Sequence, residues 1–150
     1  MRLPDAIIRA SAELENALLV SRNTKDFPES EREKPPAIKK RLQQVPMSQV
    51  CISVITEAEL LRGVLNKPEV TMLSKLINAF LLRVDSLPWD SEVAASYARL
   101  RTLCEKEGKS LGNMDMSIAS HAVAVNATLV SNDKAFYQLS HYITLEDWTA

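Results

Sequence analysis

Three carboxylates in this 150-residue chain, Glu59, Asp115 and Asp133, occupy positions from which they could act on a ligand. Glu59 follows directly on the β-branched run at 49–55, Gln-Val-Cys-Ile-Ser-Val-Ile, and so falls near the C-terminal edge of a strand, where ligands of open parallel sheets collect. The same segment, Thr56-Glu57-Ala58-Glu59, also has the form of a capping box, with Thr56 capping a helix and Glu59 bonding back to its first amide. Asp115 opens a helical stretch three residues before Ile118, which turns its carboxylate toward the sheet; a first-turn Asp also gains from the helix dipole without binding anything. Asp133 comes two residues after the apolar strand at 127–131, with Asn132 beside it, and suits an Asx turn as well as a ligand position. Three acids from separate segments, converging on one edge, make a hard oxygen donor set that suits Mg²⁺ or Mn²⁺. A cation held there could activate water and neutralise charge on a phosphoryl group under in-line attack, so phosphodiester hydrolysis is the chemistry these residues point to.

Positioning such acids takes an α/β framework, and the hydrophobic pattern supplies one. The strand at 49–55 is apolar on both parities, as expected where both faces are covered. A helix follows it, and another starts near residue 70 with Leu73, Ile77, Phe80 and Val84 as its stripe and Pro68 in its first turn. Asp90 opens a helix with Val93, Tyr97, Leu100 and Cys104 inward, stopped at Gly108, where a positive φ is needed. The helix from Asp115 turns Ile118, Ala122 and Val125 inward and ends at Asn126 before the strand at 127–131. A helical turn at 134–137 and a last strand around 142–145 complete a three-layer α/β sandwich with a mostly parallel sheet.

Composition narrows the function. At 46% hydrophobic and 25% charged, residues 1–150 suit one soluble globular domain. No apolar stretch approaches the roughly eighteen residues of a membrane span, and an acid at position 5 interrupts any signal-peptide core, so the expected location is the cytoplasm, with no membrane partner. Net charge of −1 announces no strongly basic groove, and three glycines provide no phosphate-cradling loop. A Ser-His-Asp triad would have to use His121 or His141, and His121, next to the inward Ala122, reads as a packed or surface helix residue. Cys51 and Cys104 are expected as buried free thiols.

The front of the chain repeats its back. Residues 5–21 read as a helix ended by Asn16 and a strand at 17–21. Shifted by 110 positions, Asp5, Ile8, Ala12, Asn16, Ala17, Leu19, Val20 and Ser21 match Asp115, Ile118, Ala122, Asn126, Ala127, Leu129, Val130 and Ser131. We read 1–27 as a duplicated helix-strand unit, 28–36 as a charged, proline-bearing connector, and 36–150 as the body of the domain.

From about residue 35 to 148 the chain resembles the PIN-domain toxins of bacterial VapBC-type toxin–antitoxin pairs. The resemblance rests on Ile52-Ser53-Val54-Ile55-Thr56-Glu57-Ala58-Glu59-Leu60, Leu87-Pro88-Trp89-Asp90, Gly112-Asn113-Met114-Asp115, Ile118-Ala119-Ser120-His121-Ala122, Leu129-Val130-Ser131-Asn132-Asp133 and Leu145-Glu146-Asp147-Trp148. It implies a PIN-like fold and a Mg²⁺-dependent endoribonuclease cutting tRNA or rRNA, dimeric and silenced by a cognate antitoxin. Glu59 and Asp115 match the family's second and third acids, Asp133 or Asn132 the fourth position, and Thr56 a supporting hydroxyl.

The family opens with an apolar strand ending in Asp-Thr-Asn, which this chain lacks. If residues 18–21 fill that central strand, Ser21 stands in place of the first acid and Asn23 in place of the asparagine, which would weaken metal binding and rate. RNA contacts would fall to Lys39, Lys40, Arg41, Arg62, Arg99 and Arg101, residues equally suited to a solvated face. The alternative reading is a catalytically silent PIN-like module that dimerises and binds an antitoxin.

Overall fold

The computed structural model describes residues 6–8, 49–69, 71–131 and 133–147. In chain order these form β1 (Ala6–Ile8), β2 (Val50–Ser53), α1 (Val54–Asn66), α2 (Thr71–Arg83), β3 (Asp85–Leu87), α3 (Ser91–Lys106), α4 (Asn113–Ala124), β4 (Thr128–Val130), a 3-10 helix (Lys134–Leu139) and β5 (Leu145–Glu146). The strands make one sheet in the order β3-β2-β1-β4-β5, and each described pairing is parallel.

Parallel pairing aligns the strand C-termini along one edge. Ser53, at the end of β2, pairs with Leu87, while Val130, at the end of β4, pairs with both Ile8 and Glu146. The chain builds β1, β2 and β3 outward to one side and β4 and β5 to the other, so the topological switch lies at the β1–β4 junction. Ligands of open parallel sheets settle beyond the strand ends at such a point.

Every residue of β2 is buried, as a strand covered on both faces must be. Its Cys51 joins Leu100 and Cys104 of α3, Met116, Ile118, Ala119 and Ala122 of α4, Leu129 of β4, and Phe136 and Leu139 of the 3-10 helix in a single apolar cluster. Val50 and Ile52 have the opposite parity, and α1 and α2, packed on each other, add buried Leu60, Leu73, Ile77 and Phe80 to the interior. The stripes expected for the helices at 71–83, 91–106 and 113–124 recur, with two exceptions: Ser96 is buried where Tyr97 is half-exposed, and Val125 is half-exposed. Gly108 and Asn126 take positive φ, 72° and 55°, at the ends of their helices.

The front of the chain departs from expectation. Ala6–Ile8 is a strand, although these residues were expected inside a helix, and it fills the central slot assigned to 18–21. Parallel partners on both sides satisfy its backbone, and Ile7 and Ile8 are β-branched, so tertiary pairing overrides a helical spacing read over too few residues. The remainder of the duplicated unit and the connector lies outside the described residues. β3 was not anticipated, because three residues beginning Asp85-Ser86 carry almost no strand signal.

Candidate active site

α1 begins one turn earlier than its sequence suggests. Ser53, not Thr56, is the N-cap: its Oγ accepts a hydrogen bond from the Ile55 amide at 3.2 Å. Thr56 is fully buried in the first turn, and Glu59 lies a turn further on, so the capping-box reading of this pair is replaced. The cap shifts because β2 already ends at Ser53, whose hydroxyl reaches the orphan amides before Thr56 can. Glu59 then projects from the helix body, half-buried, with its Oε1 shielded from solvent.

Asp115 sits in the first turn of α4 behind an N-cap, Gly112, that offers no side chain. It is half-buried, and Ile118 and Ala119, three and four residues on, are fully buried, so it lies at the margin of the inward face. α4 packs against α1 and leads into β4 through a short connection, which brings its N-terminal turn to the same edge as the ends of β2 and β4.

Asp133 follows β4 at that edge and takes the capping role. Its Oδ1 accepts from the Ala135 amide at 3.0 Å to start the 3-10 helix, and its own amide donates to Ser131 Oγ at 3.1 Å. Among the described residues no three His, Cys, Asp or Glu side chains form a ready-made metal cage, so Asp133 is not gathered with Glu59 and Asp115 into one. Carboxylate oxygens completed by water and a substrate phosphate are a usual holding for Mg²⁺, and Glu59 and Asp115 are of that donor type. Asn132, Ser21, Asn23, Lys39, Lys40 and Arg41 lie outside the described residues. The chain continues from Ile8 as Arg9-Ala10-Ser11, without a carboxylate where the first acid of the family would follow its opening strand.

One contact was missed by the sequence reading. His121 of α4 is completely buried, and its Nδ1 lies 2.7 Å from Ser53 Oγ, while its Nε2 has no hydrogen-bond partner among the described residues. Burial pushes the imidazole pKa down, and nearby Asp90 opposes the shift. A neutral ring fits: with Ser53 Oγ already accepting from Ile55, the serine hydroxyl proton can go to Nδ1. The available signal was parity, since Ser53 shares the face of Cys51, which packs in the α4 cluster.

The basic residues divide. Arg62 is exposed, and Arg99 is exposed while donating to Ser96 Oγ at 3.3 Å. Arg101 is bound to its own helix, paired with Glu105 at 3.4 Å and donating to the Tyr97 hydroxyl at 3.2 Å. Both cysteines are buried, and burial, with a smaller effect from Asp85, pushes the Cys51 thiol up to about 12, which disfavours the nucleophilic thiolate.

Comparison with known proteins decides the family. A PIN domain model matches residues 27–142. The chain belongs to the PIN-domain family. This PIN chain is 38% identical to Ribonuclease VapC2 of Rickettsia felis over 100 residues, 66% of this chain and 74% of that protein. It is 25% identical to the tRNA(fMet)-specific endonuclease VapC of Shigella flexneri over 118 residues, 79% of this chain and 89% of that one. The solved structure of VapBC2 from Rickettsia felis, bound to a DNA fragment from its promoter, superposes with a TM-score of 0.69 at 26% identity, covering 95% of this chain and 98% of the other. The α/β fold with its parallel sheet is therefore the PIN fold, and the chain is a homologue of the VapC ribonucleases. No helix among the described residues is long and apolar enough to cross a membrane.

Proposed function

We propose that this PIN chain is the ribonuclease toxin of a VapBC-type pair, a Mg²⁺-dependent endoribonuclease acting in the cytoplasm on RNA of the tRNA or rRNA class. The observation that carries the reading is the placement of Glu59 and Asp115 on two packed helices at the C-terminal edge of the sheet, beside the switch point. Glu59 and Asp115 would hold the ion, which when bound supplies Lewis acidity and an activated water for attack on a phosphodiester. The chain's own part is to fix those carboxylates: Glu59 is set by a helix nucleated at Ser53, and Asp115 by a helix buried along Met116, Ile118, Ala119 and Ala122. The tRNA class is favoured by the named substrate of the Shigella flexneri relative, and an antitoxin partner by the VapBC complex of Rickettsia felis. A homodimer belongs to the same reading.

The absence of a carboxylate in Arg9-Ala10-Ser11 favours reduced activity, and in its extreme form a silent module that still dimerises and binds an antitoxin. Incubating the purified protein with total tRNA in Mg²⁺, Mn²⁺ or EDTA, beside Glu59→Gln and Asp115→Asn, separates the two. Metal-dependent cleavage lost in both variants supports the enzyme. Antitoxin binding without cleavage selects the silent module, and cleavage indifferent to both substitutions rejects the site.

A further inference from the structure

The Ser53–His121 contact joins the two elements that carry the acids. Ser53 caps α1, which bears Glu59 six residues later, and His121 lies on α4, which bears Asp115 six residues earlier. Six residues are about 9 Å of helix rise, so neither residue is a ligand, yet each sets the position of a helix that holds one. The contact is 2.7 Å long and wholly buried, and Ser53 Oγ is shared between the His121 ring and the first turn of α1. A burial of this kind is poorly explained as packing alone, because the Nε2 atom is left without a hydrogen-bond partner among the described residues, a cost that an apolar side chain of similar volume would avoid.

We propose that Ser53 and His121 are positioning residues, whose hydrogen bond holds α1 and α4 in the register at which Glu59 and Asp115 share one divalent cation. This rests on the metal-site reading above. Losing the bond lets one helix shift against the other and separates the carboxylates, while each helix keeps its own apolar stripe.

The test is direct Mn²⁺ binding to the full chain, followed by electron paramagnetic resonance of the free ion, with RNA cleavage as a second measurement. His121→Leu and Ser53→Ala should each weaken Mn²⁺ affinity about tenfold, the lower end of what loss of a supporting partner costs at a metal site. The double variant should be no worse than either single one, since both remove one bond. His121→Asn, which keeps a polar atom at the Nδ1 position, should retain most of the affinity, and His121→Gln, which keeps one at the Nε2 position, should not. Equal losses for Asn and Gln, additive losses in the double variant, or unchanged Mn²⁺ affinity in His121→Leu would each overturn the proposal. If the wild-type chain binds Mn²⁺ but cuts no RNA, the catalytic reading fails and the positioning role is judged on affinity alone. If it binds no Mn²⁺, both fall.

Discussion

Trp89 donates its indole N–H to the backbone carbonyl of Ser117 at 3.2 Å, tying the segment that follows β3 to the middle of α4. Its ring also meets Tyr97 edge-on, with centroids 5.9 Å apart, so one side chain joins the entrance of α3 to the helix that carries Asp115. Trp89→Phe keeps the apolar contact and leaves the Ser117 carbonyl without this donor. The expected loss is about 1 kcal/mol, read as a lower urea midpoint with an unchanged m-value. A midpoint equal to wild type would show that the bond adds nothing.

Removing either carboxylate at the candidate site should abolish metal-dependent cleavage without unfolding the chain. Several kcal/mol of charge stabilisation correspond to a rate loss of at least about a hundredfold for Glu59→Gln or Asp115→Asn. Far-UV circular dichroism should match wild type in both. Asp133→Asn should behave differently, because Asp133 already caps the 3-10 helix through Oδ1 and an Asn carbonyl can replace that acceptor. A smaller effect than at Glu59 is expected; an equal loss would place Asp133 among the ligands.

His121 makes stability depend on pH. Its folded pKa lies below the ordinary 6.5, so the unfolded chain binds the extra proton more readily than the native one. Stability from this residue is complete above about pH 6.5 and falls as the pH drops toward the folded pKa, with Asp90 softening the loss. Urea midpoints measured at pH 7.5 and 5.5 should therefore differ more in wild type than in His121→Asn. Equal differences would remove His121 as the source.

The thiols should be silent in the native protein. Cys51 is inaccessible and its pKa is raised to about 12, and Cys104 is 1% exposed with its pKa also raised, chiefly by burial. Iodoacetamide at pH 8 should label neither in buffer and both in 6 M guanidinium, checked by mass spectrometry. Rapid native labelling of either would contradict the packing around β2 and α3.

Among the described residues Phe136 is the largest fully buried side chain, held in the 3-10 helix against the cluster shared with α3 and α4. Phe136→Ala should cost about 3–5 kcal/mol, enough to unfold a marginal domain, while Phe136→Leu should cost less because it fills more of the space. Thermal melts of the two would order them.

Much of this structure could be read from residue order, and the failures have common causes. Helix stripes such as Leu73-Ile77-Phe80 and Val93-Leu100-Cys104 were legible because many turns repeat one periodicity. The stops at Gly108 and Asn126 were legible because few residues tolerate positive φ. β1 and β3 were not, because three residues are too short to carry a period and their pairing comes from strands distant in sequence. At the candidate site, the helix starts near Glu59 and Asp115 followed from strand-then-helix order. The cap at Ser53 and its partner His121 did not, since the two are 68 positions apart and nothing local marks them as neighbours.

The sheet also constrains when the chain can fold. β1 is bordered by β2, whose residues lie 44 positions downstream in the Ala6–Val50 pairing, and by β4, which lies 122 downstream in the Ala6–Thr128 pairing. Pairings of such long sequence separation close slowly, because the loop entropy is lost before the contacts form. On the ribosome the first strand therefore lacks its second neighbour until residues 128–130 have left the exit tunnel. The centre of the sheet is therefore closed late, after the segments that flank it on both sides have been made.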